Sequence, residues 1–164
     1  EAVETLTTDK AVKLFEKFGI FTKAELESRE EVLYEIYAKT INIEALTMVD
    51  MASKEIIPAV IKYSKSLADS VLAVKEAGAD AEVQTELLKE VSAKLTEMKT
   101  ALAKLEEVEA KAAAMENAKD QAFYYKDVVK AAMDALRKPA DELEMIVDKK
   151  VWPFPTYADL MFEV

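Results

Sequence analysis

The sequence is almost free of the two residues that interrupt helices. Of its 164 residues, 2 are Gly and 4 are Pro, and Pro58 is the one Pro between Gly19 and Gly78. Ala, Glu, Lys and Leu, which favour helices, are abundant throughout. The sequence therefore predicts an all-α fold, an antiparallel helical bundle of about four to five helices. Because a chain of about 150 residues can bury about 68–70% of its surface, we expect residues 1–164 to form a single helical domain.

The most complete start signal for a helix lies at Thr22. Thr22 and Glu25 have the T-x-x-E spacing of a capping box, and Phe21 and Leu26 occupy the positions of a hydrophobic staple. The predicted helix spans 23–77, with Pro58 expected to bend or split it, because Pro lacks a backbone donor. Its apolar residues recur at helical spacing along two faces, which predicts packing on more than one side. The first of these stripes comprises Leu33, Tyr37, Ile41, Ala45, Met48, Ala52, Ile56, Ala59, Tyr63, Leu67, Val71 and Val74.

Four shorter or later helices complete the predicted bundle. A first helix covers about 8–18 and ends at Gly19, and a third begins near Asp80. The third carries an apolar seam with alternating steps of three and four residues, as expected for antiparallel packing: Leu88, Val91, Leu95, Met98, Leu102 and Leu105. A fourth helix is predicted over 119–137. Pro139 should then open a fifth over 139–147, because Pro is favoured in the first turn.

The last residues differ in kind from the rest. The run 151–157 reads VWPFPTY, and the X-Pro steps disfavour helix there. We therefore predict an extended tail over 151–164. Its large aromatic side chains need a surface to bury against, either this bundle or a partner. The candidate docking residues are Trp152, Phe154, Tyr157 and Phe162.

The composition excludes most familiar catalytic sites. The chain has no His and no Cys, so it holds no imidazole base, Ser-His triad, thiolate nucleophile or zinc ribbon. Two Gly are too few for a dinucleotide fingerprint or a P-loop. We therefore assign no catalytic, cofactor-binding or metal-binding residue. The net charge of −10 argues against nucleic acid, and no apolar run is long enough for a membrane-spanning helix. The N-terminal residues do not resemble a secretory signal.

Carboxylates are the one abundant class of reactive group. Glu30, Glu31 and Glu35 lie within two helical turns, and a second acidic run contains Glu106, Glu107 and Glu109. Solvated helix faces are the favoured interpretation of both. Two other functions stay open beside a structural role: an independent helical binding module for a peptide or small ligand, and an enzyme with a carboxylate-only metal site. A deep polar pocket would favour the binding module, and convergent buried carboxylates would favour the enzyme.

Several blocks together resemble the C-terminal region of type III glutamine synthetases. They are LFEKFGIFTKAELESR at 14–29, INIEALTMVDMA at 41–52, YSKSLAD at 63–69, PADELE at 139–144 and WPFPTY at 152–157. The combination of blocks is specific, whereas any one of them alone is weak. The missing initiator Met agrees with a processed protein or a piece of a longer one.

The resemblance implies a non-catalytic part of a larger enzyme. Full-length members of the family join glutamate and ammonia with ATP and magnesium, and their catalytic residues lie in regions upstream of this one. No catalytic residue is therefore carried over to this chain. The implied function is a C-terminal helical domain that supports oligomer assembly or inter-domain contacts in a cytoplasmic glutamate–ammonia ligase. Its implied partners are the remainder of the parent chain and other subunits of the same protein.

Overall fold

The chain folds into helices and connecting turns. The computed structural model describes residues 2–155 and 157–162, with the side chains of Tyr157 and Ala158 left aside. Within these residues it contains no strand, so the predicted all-α fold is confirmed. After a 3-10 helix at Val3–Thr7, the helices are α1 Asp9–Lys17, α2 Lys23–Met51, α3 Ile57–Glu76, α4 Glu82–Ala113, α5 Ala118–Tyr124, α6 Lys130–Glu144 and α7 Tyr157–Phe162. Single π turns, Ala52–Ile56 and Tyr125–Val129, join α2 to α3 and α5 to α6.

The helices are organised in two compact units. Unit 1 comprises Glu1–Ala45 and Val108–Ala131, and unit 2 comprises Leu46–Glu107 and Ala132–Val164. Helices α2 and α4 each contribute residues to both. Unit 1 has a buried apolar core that includes Leu26, Tyr34, Ala38, Ile41, Ala45, Val108, Ala112, Ala122, Tyr125 and Val129. That of unit 2 includes Ile56, Val60, Val71, Val91, Met98, Leu102, Leu105, Leu136, Leu143 and Trp152. A single domain over 1–164 stays a prediction.

The helix ends follow the predicted local chemistry. The Thr22 backbone N–H donates to Glu25 Oε2 at 2.7 Å, and the Glu25 N–H donates to Thr22 Oγ1 at 3.3 Å. This reciprocal pair is the capping box that opens α2. Gly19 and Gly78, which follow α1 and α3, have φ of +62° and +77°. Only Gly adopts that left-handed conformation without strain, so both helices stop where the sequence predicts.

The capping box provides a first test. We expect Thr22→Ala to lower the free energy of unfolding by about 0.5–2 kcal/mol, because the Glu25 N–H then loses its acceptor. Chemical denaturation measures the change. Thr40→Ala is the matched control, since its hydroxyl donates to the Ile36 carbonyl within the same helix and caps nothing. A loss no larger than that of the control would show that the cap does not hold the start of α2.

The long predicted helix continues past Pro58, with a π turn directly before α3. The predicted range was 23–77, and the structure gives α2, the π turn Ala52–Ile56 and α3 in direct succession. In that turn the Ile57 N–H donates to the Ala52 carbonyl, five residues back. Pro58 follows at once, as the second residue of α3. A bend at this position stays a prediction.

Pro139 is the position where the expected helix boundary is wrong. The sequence predicted one helix ending at Arg137 and another beginning at Pro139, but α6 runs without interruption from Lys130 to Glu144. Pro139 lies inside it and is buried together with Leu136 and Leu143 on one face. Burial of the Pro ring with these leucines offsets the backbone hydrogen bond that Pro cannot donate.

In the described part of the chain, none of the helices combines the length and the apolar character needed to cross a membrane.

Candidate docking site

After α6 the chain makes a tight turn that leads into the tail, residues 151–164. The Val147 N–H donates to the Leu143 carbonyl at 2.9 Å, which closes the end of the helix. Asp148 then organises the next residues: its carbonyl accepts from the N–H groups of Val151 and Trp152, and its Oδ1 accepts from the Lys150 N–H at 2.8 Å. An Asp that bonds the backbone two residues on is a typical turn former. The turn fixes the backbone of Trp152 directly before the two tail prolines.

Trp152 is the buried anchor of the tail. Its side chain is 9% exposed, and it lines an apolar cavity of about 350 Å³ within unit 2. The tail contributes one wall, and helix side chains form the rest. The lining residues are Met48, Met51, Ala52, Ile56, Met98, Leu136, Arg137, Ala140, Asp141, Glu144, Trp152, Phe154, Pro155 and Leu160. Burial of aromatic surface against such a wall is favourable, because it removes a large apolar area from water.

The structure separates the four candidate docking residues. Trp152 and Phe154 line the same cavity, with Phe154 half-buried. Phe162 is 77% exposed and does not line it. Tyr157 begins α7, and its side chain lies outside the described residues. The docking role of all four stays a prediction, since burial alone does not identify a partner.

The expectation that the whole tail is extended is wrong for α7. Residues 151–155 contain no helix, as the two X-Pro steps predict, but Tyr157–Phe162 is helical. No Pro follows Pro155, so every later residue has the backbone N–H that a helix needs. Asp159 lies in the first turn of α7, where a negative charge meets the positive end of the helix dipole. That acidic residue is the signal from which the helix could have been predicted.

Ion pairs frame the tail and the helices beside it. The Lys149 ammonium pairs with the Asp159 carboxylate, which links the turn after α6 to α7. At the edge of the cavity, Arg137 Nε lies 3.2 Å from Asp141 Oδ2 on α6. Within unit 2, Lys94 Nζ of α4 lies 2.6 Å from Glu142 Oε2 of α6. Of these charged residues, Arg137 and Asp141 line the apolar cavity together with Glu144, so the cavity has a polar rim, the usual anatomy of a docking surface.

The pair between Lys94 and Glu142 makes stability depend on pH. The ion pairs with Glu142 and, next, Glu97 raise the pKa of Lys94 to about 12, and the pair with Lys94 lowers the pKa of Glu142. A raised Lys pKa stabilises the fold below 10.5, and this contribution is lost as the pH rises through about 12. A lowered Glu pKa stabilises the fold above 4.5, and this contribution is lost as the pH falls through the lower value.

We expect Glu142→Gln to destabilise the fold between these limits, with the difference from wild type shrinking below pH 4.5 and above pH 10.5. Denaturation midpoints across the pH range measure it. Glu97→Gln is the matched control: it removes the neighbouring pair within α4, and the Glu97 side chain is 58% exposed. We expect a smaller effect for the control, because exposed pairs contribute little. A pH-independent difference for Glu142→Gln would contradict the assignment.

Sequence reasoning missed the helix residues that form the far side of the cavity. Ile56 and Met98 belong to the buried core, as their helical spacing predicts, but no sequence pattern links them to the tail. Ala52 and Ile56 belong to the first π turn, and periodicity alone does not predict where a helix takes up an additional residue. The Met residues gave a weak signal, because flexible thioethers fill irregular gaps.

In the part of the chain that the structure describes, the acidic groups form no cluster of the kind that binds metal. Within the described residues, no group of three or more Asp or Glu side chains is placed to hold an ion. In unit 1, Glu30 accepts a hydrogen bond from the Tyr34 hydroxyl at 3.2 Å, and Lys119 pairs with Glu4 at 2.8 Å. These contacts place Glu30 and Glu4 in local hydrogen-bonding and ion-pair arrangements.

Comparison with known proteins agrees with the resemblance seen in the sequence. Residues 1–75 match the glutamine synthetase C-terminal domain family. The chain is 38% identical over 159 residues to a glutamine synthetase of Butyrivibrio fibrisolvens, an alignment covering 96% of this chain and 23% of that protein. It is 32% identical over 149 residues to a glutamine synthetase of Bacteroides fragilis, covering 87% and 20%. It is 32% identical over 168 residues to a type-3 glutamine synthetase of Dictyostelium discoideum, covering 99% and 23%.

The alignments take in nearly all of this chain but a small share of each relative. The chain spans between 20% and 23% of the length of these curated relatives. Residues 1–75, the part that matches the family, contain α1, α2 and most of α3. Residues 1–75 therefore match the glutamine synthetase C-terminal domain family, and over almost its whole length the chain is similar to one part of known glutamine synthetases, a type-3 enzyme among them.

Proposed function

We propose that this chain is a non-catalytic C-terminal helical domain of a glutamate–ammonia ligase, and that it supports subunit assembly or contacts between domains. The observation that carries the proposal is the extent of the alignments: 96% of this chain corresponds to 23% of a glutamine synthetase. The ligase chemistry, with its ATP and magnesium, then belongs to the remaining part of the parent protein. We also propose that the parent is cytoplasmic and that its other subunits are partners of this domain.

The tail supports a role in contacts. Trp152 is buried in unit 2, whereas Leu160, Met161 and Phe162 of α7 are 68%, 70% and 77% exposed. Trp152 thus anchors the tail, and α7 presents consecutive apolar side chains to its surroundings. Clustered exposed apolar residues are typical of interaction surfaces. The cavity beside Trp152 is lined mainly by apolar side chains, so it supports a contact role over a binding module with a polar pocket.

The test uses the full-length parent enzyme with the exposed residue Phe162 changed to Ser. We expect weaker assembly or looser domain docking, seen by sizing and limited proteolysis, with the intrinsic chemical step unchanged. Met145→Ser is the matched control, because Met145 is in unit 2 and is 86% exposed. Equal behaviour of the two variants would refute a contact role for α7, and loss of the chemical step alone would refute a non-catalytic role.

The chain alone should be inactive as a ligase. It has no His, and its cations include only two Arg, Arg29 and Arg137. We therefore expect purified chain, supplied with glutamate, ammonia, ATP and magnesium, to form no glutamine above the buffer background. Coupled detection of ADP and direct detection of glutamine provide independent measurements. Glutamine formation that rises in proportion to the concentration of the chain would overturn the proposal.

A further inference from the structure

Helix α2 has apolar side chains on two opposite faces within unit 1, and only one face is buried. The buried face comprises Leu26, Tyr34, Ala38, Ile41 and Ala45. The other face, called the outer stripe below, comprises Val32, Leu33, Ile36 and Ile43, which are between 42% and 67% exposed. At about 100° per residue, Val32, Ile36 and Ile43 fall within about 40° of arc on the side of α2 opposite the buried face, and Leu33 lies at the edge of that face, about 20° from Leu26. A helix that is apolar on opposite sides is typical of a helix that packs on both.

The outer stripe continues into a cavity at the start of α2. Val32 and Leu33 line this cavity of about 350 Å³ together with Phe15 and Phe21, whose ring centroids are 5.7 Å apart. Arg29 lies at its edge, with its guanidinium 4.2 Å from the centre of the Phe21 ring. A groove that ends in an apolar cavity can accept an amphipathic segment with one large side chain as its anchor.

The size of the outer stripe argues against a second copy of this chain as its occupant. Four aliphatic side chains along about 17 Å of helix offer an apolar area on the order of a few hundred Å². A stable interface between separate molecules needs about 800 Å² from each partner.

A covalently attached segment needs far less area. Tethering raises the effective concentration to the millimolar range and removes most of the entropic cost of association. The relatives supply such a segment in abundance, because this chain spans only 20% to 23% of their length. The outer stripe also lies within residues 1–75, the part that matches the family.

We propose that the outer stripe and its cavity dock an amphipathic segment of the same polypeptide that lies outside these 164 residues. This inference rests on the proposed function, since it requires a longer parent protein. It adds which surface makes the contact, and it assigns that contact to α2 in addition to the tail. The segment packs its apolar side along Val32, Ile36 and Ile43 and places a large apolar side chain in the cavity, beside Phe15 and Phe21.

The experiment measures cysteine alkylation in the full-length protein under native conditions. Ile36→Cys tests the outer stripe, and Leu72→Cys on α3 is the matched control, since these positions are 55% and 61% exposed. Mass spectrometry of the labelled peptide follows each site separately, so other cysteines of the parent do not interfere. We expect Ile36→Cys to react at least tenfold more slowly than Leu72→Cys, with the difference abolished in denaturant.

Two results would overturn the inference. Equal rates at the two sites would show that nothing covers the outer stripe. Slow labelling that is lost when the protein is diluted to its monomer would identify a second copy as the occupant. Val32→Cys repeats the measurement if Ile36→Cys fails to fold. The proposed function is tested separately by Phe162→Ser, whose effect on assembly can stand when the outer stripe is found open.

Discussion

Replacing Trp152 with Ala should lower the free energy of unfolding by about 3–5 kcal/mol, the range for truncation of a buried aromatic side chain. Trp152 is only 9% exposed and lines the cavity that the tail shares with α4, α6 and the first π turn. Removing the indole enlarges that cavity and leaves its apolar walls without their largest partner. Chemical denaturation of wild type and variant measures the difference.

The experiment on Trp152 has a matched control in the same tail. Phe162→Ala removes an aromatic side chain from the same tail that is 77% exposed, so we expect a change within about 0.5 kcal/mol. The protein has one Trp, so its fluorescence reports the site directly. If an aqueous quencher reaches Trp152 freely and its removal costs no more than the control, the tail does not dock in this way.

Tyr125 should be the most sensitive position in unit 1. It is 0% exposed, and it lies at the start of the second π turn. We expect Tyr125→Ala to lower the free energy of unfolding by about 3–5 kcal/mol, because the loss of a buried ring leaves a cavity that the helices fill only in part. Denaturation followed by far-ultraviolet circular dichroism measures the loss.

The matched variant Tyr125→Phe keeps the ring and should behave in the opposite way. Within the described residues, the Tyr125 hydroxyl has no hydrogen-bond partner, so its burial is a cost. Burial, and then the negative charge of Glu109, raise the pKa of this phenol. We expect the Phe variant to be as stable as wild type or more stable, by up to about 1 kcal/mol. A loss comparable to that of the Ala variant would mean that the hydroxyl has an essential partner.

The local features of this fold were predictable from short runs of sequence. The capping box at Thr22 and the helix ends at Gly19 and Gly78 depend on groups within a few residues of one another. Such hydrogen bonds form wherever the local backbone allows, so a single sequence contains the needed information. The seam of α4 was predictable for the same kind of reason, since periodicity indicates which face is buried.

The features that escaped prediction depend on contacts distant in sequence. Pro139 interrupts a helix by its local chemistry, yet its burial with Leu136 and Leu143 lets α6 continue. The cavity around Trp152 combines residues from as far apart as Met48 and Leu160, and no spacing rule brings these together. The exposure of Phe162 could not be predicted from the sequence either, because an aromatic residue looks the same in the sequence whether or not a neighbour covers it in the fold.

The π turns have a consequence for how this chain tolerates changes in its length. A π turn accommodates one residue more than an α turn, and it rotates every later side chain by about 100° relative to an uninterrupted helix. The turn at Ala52–Ile56 is therefore a place where one residue can be lost and the ladder becomes a regular α-helix. Elsewhere in α2 or α3, deleting one residue would rotate all later side chains away from their packing partners, because a regular α-helix has no additional residue to lose. Evolutionary gaps of a single residue should accumulate at these two turns, which makes them natural points of length variation among related chains.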